Sequence, residues 1–123
     1  MIIGIGTDII EVPRIAEAIE KYGDRFLNRI FTKTEQEYCE QFKDLKYLHY
    51  AARFAAKESF SKAIGTGITK GFKFNDISIR NEPSGKPIVD LSGSLLEKWG
   101  ECTTFVSLSH TKENAIAYIL LEK

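Results

Sequence analysis

The order of apolar and polar residues changes period several times along this chain, and each change marks a different predicted element. Residues 2–7 are rich in β-branched side chains and glycine, which predicts a buried strand that other backbone can approach closely. The strand is expected to end next to Asp8. Apolar residues then recur at helical spacing after Pro13, and Gly23 supplies a stop, so an amphipathic helix is predicted between them.

The middle of the chain predicts two further helices. Thr32 and Glu35 have the spacing of a capping box, so a polar helix is expected over residues 34–42. Residues 48–64 contain no proline or glycine, are rich in alanine and keep a helical period until Gly65. This second segment is predicted to be the long central helix of the fold and to be largely buried.

The second half of the chain alternates apolar and polar residues with the period of a strand. Turn-forming residues separate these runs, which predicts two hairpins with a short helix between them. The predicted elements are strands 76–80 and 87–91 around a turn at 82–86, a helix at 92–99, and strands 103–109 and 115–121 around a turn at 110–114. Since no linker or repeat interrupts the chain, we expect one α+β domain over residues 1–123, with a mostly antiparallel sheet packed against the long central helix.

Composition narrows the class of protein without identifying it. The chain has 123 residues, 43% of them hydrophobic and 28% charged, which is typical of one globular domain. Its 17 basic and 17 acidic residues cancel, so duplex nucleic acid is not an expected partner. No membrane span or secretory leader is recognisable, and Cys39 and Cys102 lack metal-ligand spacing. A cytoplasmic protein with free thiols is therefore expected.

Three polar clusters interrupt the apolar pattern, at residues 6–8, 53–58 and 107–110. Together they supply two carboxylates, several cations and one imidazole. Magnesium prefers a few carboxylate oxygens together with water and substrate phosphates. This set of side chains therefore favours a magnesium ion holding a phosphate-rich ligand.

Glu58 has both an ordinary and a functional interpretation. It lies one helical turn before Lys62, and an exposed ion pair between them would contribute only about 0.3–0.5 kcal/mol. The surrounding alanines argue against full exposure, and a charge cluster on a buried helix needs partners. We therefore expect Arg53, Lys57 and Lys62 to surround Glu58 with three cations and to face an anionic ligand.

Two other candidates also have structural explanations. Asp8 could cap the helix that begins near Pro13, and it contributes to a metal site only if the fold brings it to Glu58. His110 could be a turn residue that bonds to backbone. Next to Ser109 it lacks the third group that a nucleophilic triad requires.

Taken together, three strings in order resemble the bacterial holo-acyl-carrier-protein synthase family. They are GIGTDI at residues 4–9, RFAAKESFSKA at residues 53–63 and SLSH at residues 107–110, and the turn at Gly85-Lys86-Pro87 is also similar to that family. The resemblance covers nearly the whole chain. It implies the 4'-phosphopantetheinyl transferase-like fold.

The resemblance also implies an activity. Such an enzyme moves the 4'-phosphopantetheine arm of coenzyme A onto a serine of apo-acyl carrier protein, releases adenosine 3',5'-bisphosphate and supports fatty acid biosynthesis. By motif position, Asp8 and Glu58 would bind Mg²⁺. Lys62 would stabilise or protonate the departing phosphate, while Glu58 or a water bound at the metal would take the serine proton.

The same resemblance implies three binding surfaces. Coenzyme A would be contacted by residues in and next to the second and third strings and by residues of the hairpin turn: Arg53, Lys62, Gly85, Pro87, His110 and Thr111. The acidic carrier protein would dock on a basic set in and after the first helix: Arg14, Lys21, Arg25 and Arg29. Because Glu17 and Glu20 interleave with that set, a solvated helix face of mixed charge is the alternative. The family further implies a homotrimer with active sites between subunits.

Two rival functions use the same carboxylates and cations. One is a binding module that holds coenzyme A or a nucleotide without reaction. The other is a magnesium-dependent hydrolase of a phosphoanhydride, which usually has a denser set of acidic residues than the single Glu58 offered by the central helix. Mass spectrometry of an acidic carrier protein incubated with coenzyme A and magnesium separates the three functions.

Overall fold

The structure, a computed structural model, describes residues 1–69 and 71–123. The helices and strands in these ranges are, in chain order, β1 (Ile2–Glu11), α1 (Val12–Tyr22), α2 (Asp24–Ile30), α3 (Lys33–Glu40), α4 (Lys46–Ala63), β2 (Ile77–Asn81), β3 (Pro87–Leu91), α5 (Gly93–Trp99), β4 (Thr103–His110) and β5 (Asn114–Glu122). Each predicted helix and strand is present, and the predicted α+β class is confirmed. Helix α2 was not predicted.

The strands form two antiparallel sheets. One is three-stranded in the order β1-β5-β4, and the other is the hairpin of β2 and β3. Helix α4 crosses one face of the larger sheet and contacts both β1 and β5, while α1 and α3 pack on α4. The long central helix is therefore the centre of the core, as the absence of helix breakers predicted.

Strand β1 is longer than the apolar pattern indicated. It pairs with β5 from Ile2 to Glu11, so Asp8 lies inside the strand, opposite Ala117, and not at its end. The interpretation of Asp8 as a helix cap is also wrong. The residue before α1 is Glu11, which makes no side-chain capping bond.

Two glycines allow β1 to lie directly against α4. A Cβ atom on Gly4 would overlap the backbone oxygen of Ala63, and one on Gly6 would overlap that of Ser59. Side chains alternate along a strand, so Asp8 shares this face with the two glycines. The backbone contact therefore brings the Asp8 carboxylate close to α4.

The other face of the three-stranded sheet carries exposed apolar side chains. No helix of the described residues covers this patch, which we call the open sheet face. Its largest members are Ile5, Ile9, Phe105, Ile116 and Tyr118. Apolar patches of this kind on a folded domain usually mark an interaction surface.

A fully buried ion pair joins the helices to the small sheet. Lys57 Nζ donates to Glu35 Oε1 at 2.7 Å, and neither side chain is exposed. Glu35 also completes the predicted capping box with Thr32, which is confirmed, and its Oε2 accepts from the backbone N–H of Ile79 at 2.8 Å. Lys57 donates further to the backbone oxygens of Ile30 and Phe74. The pair therefore connects α2, α3, α4 and β2.

Neither cysteine is in a disulfide. Cys39 is buried in α3, and burial raises the pKa of its thiol to about 12. Among the described residues, no helix is long and apolar enough to span a membrane.

Candidate active site

Asp8 and Glu58 line one cavity of about 400 Å³ between β1, α1 and α4. The two residues are fifty positions apart in sequence, and the contact between β1 and α4 brings them together. The wall is completed by further residues of β1 and α1 and by single residues of α2 and α4, all of them apolar except Arg14. These residues are Ile9, Ile10, Arg14, Ile15, Ala18, Phe26 and Phe54. The structure therefore places the two predicted metal ligands at one site.

The charge balance at this cavity favours a cation. Lys62 Nζ donates to Asp8 Oδ1 at 3.1 Å and to the Thr7 backbone oxygen at 3.0 Å, while half of its side chain stays exposed. Burial raises the pKa of Glu58, and the negative charge of Asp8 raises it further, whereas the Lys62 cation lowers it. The Lys62 ammonium therefore does not offset burial and the second negative charge at Glu58, and a further cation would be favourable there.

The other two cations expected around Glu58 are elsewhere, so that prediction is wrong. Lys57 is buried on a different side of α4 with Glu35 as its partner, and Arg53 is buried beside Asn81. The alternative considered from the sequence, an ion pair between Glu58 and Lys62, is not formed among the described residues, because Lys62 bonds to Asp8 instead. Helical spacing correctly indicated which residues share a face of α4. It could not indicate which of those faces the core covers.

The donor set suits a hard divalent ion that keeps part of its hydration. In the part of the chain that the structure describes, no three His, Cys, Asp or Glu side chains converge as a complete metal cage. Two carboxylates facing an open cavity match magnesium, which retains water and substrate phosphates in its shell. Asp8 and Glu58 could therefore hold Mg²⁺ only together with a ligand that supplies more oxygens.

A second, smaller cavity gathers four of the six residues predicted to bind coenzyme A. It has a volume of about 190 Å³, and we call it the arginine cavity. Its lining consists of Tyr38, His49, Ala52, Arg53, Asn81, Gly85, Pro87, Leu108 and His110. Lys62 lies instead with Asp8 at the first cavity. Thr111 is in the β4–β5 turn, where its hydroxyl accepts from the backbone N–H groups of Glu113 and Asn114.

Arg53 shows why this second cavity suits an anion. Only 1% of its surface is exposed, its guanidinium lies 4.4 Å from the centre of the Tyr38 ring, and one of its N–H groups bonds to Asn81 Oδ1. Its Nε has no hydrogen-bond partner among the residues that the structure describes. A buried donor without a partner is costly, and a phosphate oxygen is a ligand that would satisfy it.

The predicted carrier-binding residues lie along one surface formed by α1 and α2. Arg14 lines the first cavity, and Arg25 and Arg29 line an adjoining cavity of about 300 Å³. Phe26 lines both of these cavities, so they are neighbours. The Lys21 ammonium lies 5.3 Å from the ring centre of Tyr22, which lines the adjoining cavity. We call this surface the basic rim.

Sequence reasoning missed several residues of these cavities, including Phe26, Tyr22 and His49. Phe26 and Tyr22 belong to the basic rim, and His49 belongs to the arginine cavity. His49 precedes Arg53 by four residues, which places the two side chains on one face of α4. That spacing was the available signal for His49. Phe26 was missed because α2 was not predicted as a helix, whereas Tyr22 is the last residue of the predicted helix α1.

The sequence and the fold match one class of protein. Residues 4–119 match the 4'-phosphopantetheinyl transferase superfamily, and the chain belongs to that family. The proteins named holo-[acyl-carrier-protein] synthase from Ruminiclostridium cellulolyticum and Protochlamydia amoebophila are 51% and 48% identical to it. These alignments cover 95% of the chain and 90% of the first relative, and 96% of both the chain and the second.

Solved structures give the same result. The holo-(acyl-carrier-protein) synthase of Bacillus anthracis, in complex with CoA (3',5'-ADP), has a TM-score of 0.85 and 43% identity and covers 100% of this chain and 98% of its own. The holo-[acyl-carrier-protein] synthase of Helicobacter pylori, in complex with coenzyme A, has a TM-score of 0.85 and 31% identity, with 96% and 99% coverage. The predicted resemblance to bacterial holo-acyl-carrier-protein synthase is confirmed, and so is the predicted fold.

Proposed function

We propose that this protein transfers the 4'-phosphopantetheine group of coenzyme A to a serine of apo-acyl carrier protein, in support of fatty acid biosynthesis. The products are holo-acyl carrier protein and adenosine 3',5'-bisphosphate. The observation that carries the proposal is the meeting of Asp8 and Glu58 in one cavity beside the basic rim. It brings a metal-binding pair next to a surface suited to an acidic protein. The full-length relatives with this name support it.

Magnesium is the proposed cofactor, with Asp8 and Glu58 as its protein ligands. When bound, magnesium would neutralise charge on the diphosphate of coenzyme A. The raised pKa of Glu58 supports the assignment, because the Lys62 ammonium does not offset burial and the second carboxylate. Both ligands come from packed elements of the core, so the pair is held in place before substrates arrive.

The residues at the cavity are proposed to have different roles in the transfer. The serine oxygen attacks the β-phosphorus of coenzyme A, and the bond from that phosphorus to the oxygen bridging the two phosphates breaks. Among the described residues that line the cavity, Asp8 and Glu58 are the only carboxylates, so one of them or solvent accepts the serine proton. The half-exposed ammonium of Lys62 is proposed to turn from Asp8 to the departing phosphate.

The arginine cavity is proposed to hold the 3'-phosphate of coenzyme A. Arg53 and His110 would bond to it, with the Gly85 and Pro87 backbone as the wall and Thr111 at the edge. Arg53 and Glu58 are five residues apart on α4, so their side chains point about 140° apart. The two cavities therefore open on different sides of one helix. One coenzyme A molecule would join the Glu58 cavity of one subunit to the arginine cavity of the next.

This arrangement requires an oligomer, and a homotrimer is proposed. The open sheet face supplies the apolar surface that association would cover. We expect Ile5→Lys to reduce the mass measured by light scattering from about three times 13.9 kDa to that of one chain. Transfer activity should fall with it, because each site would lose its second half.

Leu96→Lys is the matched control for this experiment. Leu96 is as exposed as Ile5 but lies on α5, away from the open sheet face. This variant should keep the mass and the activity of the original protein. A monomeric original protein, or an Ile5→Lys protein that remains a trimer, would refute the proposed interface.

The basic rim is proposed to dock the acidic carrier protein. Reversal to glutamate of Arg25 and Arg29, which line the adjoining cavity and not the one that holds Asp8 and Glu58, should raise the Michaelis constant for the carrier protein on the order of tenfold or more, because opposite charges then become like charges. Binding of coenzyme A, measured by calorimetry, should change little. The control reverses the exposed residues Lys33 and Lys123, which changes the net charge equally outside both cavities. If both double reversals raise the Michaelis constant for the carrier protein equally, the basic rim is not the docking surface.

The proposed function is tested by mass spectrometry of apo-acyl carrier protein after incubation with the protein, coenzyme A and magnesium. Transfer adds the mass of phosphopantetheine to one serine. A binding module would leave both substrates unchanged, and a hydrolase would cleave coenzyme A without modifying the carrier. A chelator should stop the transfer, and added magnesium should restore it. Since coenzyme A and carrier protein are substrates of cytoplasmic metabolism, the cytoplasm is the proposed location.

A further inference from the structure

His49 is held at the wall of the arginine cavity by three elements. Its ring stacks on Phe42 with centroids 3.8 Å apart and planes inclined by 23°. Tyr38 of α3 meets the ring edge-on at 5.7 Å, and His110 of β4 does so at 6.0 Å. The imidazole therefore has a fixed place beside Arg53, and aromatic packing alone does not require a histidine there.

The groups around His49 favour its neutral form in the free protein. Burial, the Arg53 cation and His110 together lower the pKa of His49 to about 4, with burial as the largest cause. Arg53 lies on the same helix, His110 faces the ring from β4, and the Tyr38 phenol faces it from α3. No carboxylate of the described residues lines this cavity. The site therefore contains cationic and neutral groups but no anion of its own.

We propose that His49 is a further phosphate-binding residue, and that its imidazole takes up one proton from solvent when a phosphate enters the arginine cavity. This inference rests on the proposed function, in which that cavity receives the 3'-phosphate of coenzyme A. A phosphate dianion offsets the repulsion between Arg53 and a protonated His49, so it stabilises a second positive charge nearby. Proton uptake turns the remaining ring acceptor into an N–H donor, so the charged ring can donate from both nitrogens.

The proton makes binding of the 3'-phosphate depend on pH. Between the pKa of the free ring, about 4, and its higher value in the complex, affinity should rise by up to tenfold for each unit that pH falls. The product adenosine 3',5'-bisphosphate carries the same phosphate, so its release should return the proton to solvent. Dephospho-coenzyme A lacks this phosphate and should bind without the linked proton.

Calorimetry of the magnesium-loaded protein measures the proton directly. Adenosine 3',5'-bisphosphate and dephospho-coenzyme A are titrated at pH 6.5 in two buffers of different ionisation enthalpy. Proton uptake should accompany the first ligand and not the second. His49→Phe, which can keep the stacking on Phe42, should lose this uptake. The phosphate also ionises near pH 6, but it does so equally with both proteins, so their difference isolates His49.

Nuclear magnetic resonance gives a second measurement that needs no variant at His49. The chain has only two histidines, and His110→Gln assigns their ring signals. The His49 signal of the free protein should titrate near 4, and with adenosine 3',5'-bisphosphate bound it should titrate above about 6. An unchanged His49 titration overturns the inference, as does full proton uptake by His49→Phe, which would assign the proton to His110. If the protein binds the ligand and transfers phosphopantetheine but takes up no proton, the proposed function stands and the role of His49 is refuted. If it neither binds the ligand nor transfers the group, the proposed function and the role of His49 are both refuted.

Discussion

Replacing Glu58 by glutamine is expected to lower the rate of phosphopantetheine transfer by at least about a hundredfold. The substitution keeps the shape of the side chain but removes one of the two carboxylates that face the cavity. A lost proton acceptor alone typically costs 10²–10⁴ in rate, and the loss of a metal-binding charge adds to it. Kinetic assays by mass spectrometry should show a fall in turnover and a higher magnesium requirement.

The fold should survive this substitution. Burial and the Asp8 charge raise the pKa of Glu58 in the folded protein, which means that its ionised form opposes folding at neutral pH. A neutral glutamine removes that cost, so the melting temperature should be unchanged or higher. Glu97→Gln on the exposed side of α5 is the matched control and should keep full activity. A Glu58→Gln protein with near-normal turnover would reject the assignment of this residue.

Replacing Lys57 by methionine is expected to destabilise the protein by about 3–5 kcal/mol. The substitution leaves the Glu35 carboxylate buried without its cation, although two backbone N–H groups still donate to it. It also removes the donor that serves the backbone oxygens of Ile30 and Phe74. Loss of one partner of a buried pair is more costly than loss of both, because an unpaired charge remains in the core.

Urea denaturation measures this effect, and two further variants interpret it. Lys46→Met makes the same change in the same helix, but Lys46 pairs with Glu40 near the surface, so it should cost less than about 1 kcal/mol. Lys57→Met combined with Glu35→Leu should be more stable than Lys57→Met alone. If the two Lys→Met variants lose equal stability, the buried pair is not a major support of the fold.

Elements with a strong local signal could be predicted from the sequence. Helix α4 has no breaker over its length, and both hairpins have turn residues between alternating strands, so their type followed from the local pattern. The length of β1 did not follow, because it is set by pairing with β5 more than 100 residues later. Helix α2 was missed because its seven residues are too short for a clear helical period.

The candidate site was predictable in its membership but not in its geometry. The family motifs named Asp8 and Glu58, and the structure brings them to one cavity. Helical spacing could not predict which cations of α4 are buried, since burial depends on which other elements pack against each face of the helix. In the structure Lys57 forms an ion pair with Glu35, and Lys62 forms one with Asp8.

The contact of β1 with α4 through Gly4 and Gly6 has a consequence for how this protein can evolve. The elements that carry Asp8 and Glu58 touch main chain to main chain, so no side chain between them sets their separation. Apolar residues elsewhere in the interior can change size without altering the spacing of the two carboxylates. A methyl group at either glycine, by contrast, would push the two carboxylates apart. Mutational tolerance should therefore be lowest at two positions that carry no functional group at all.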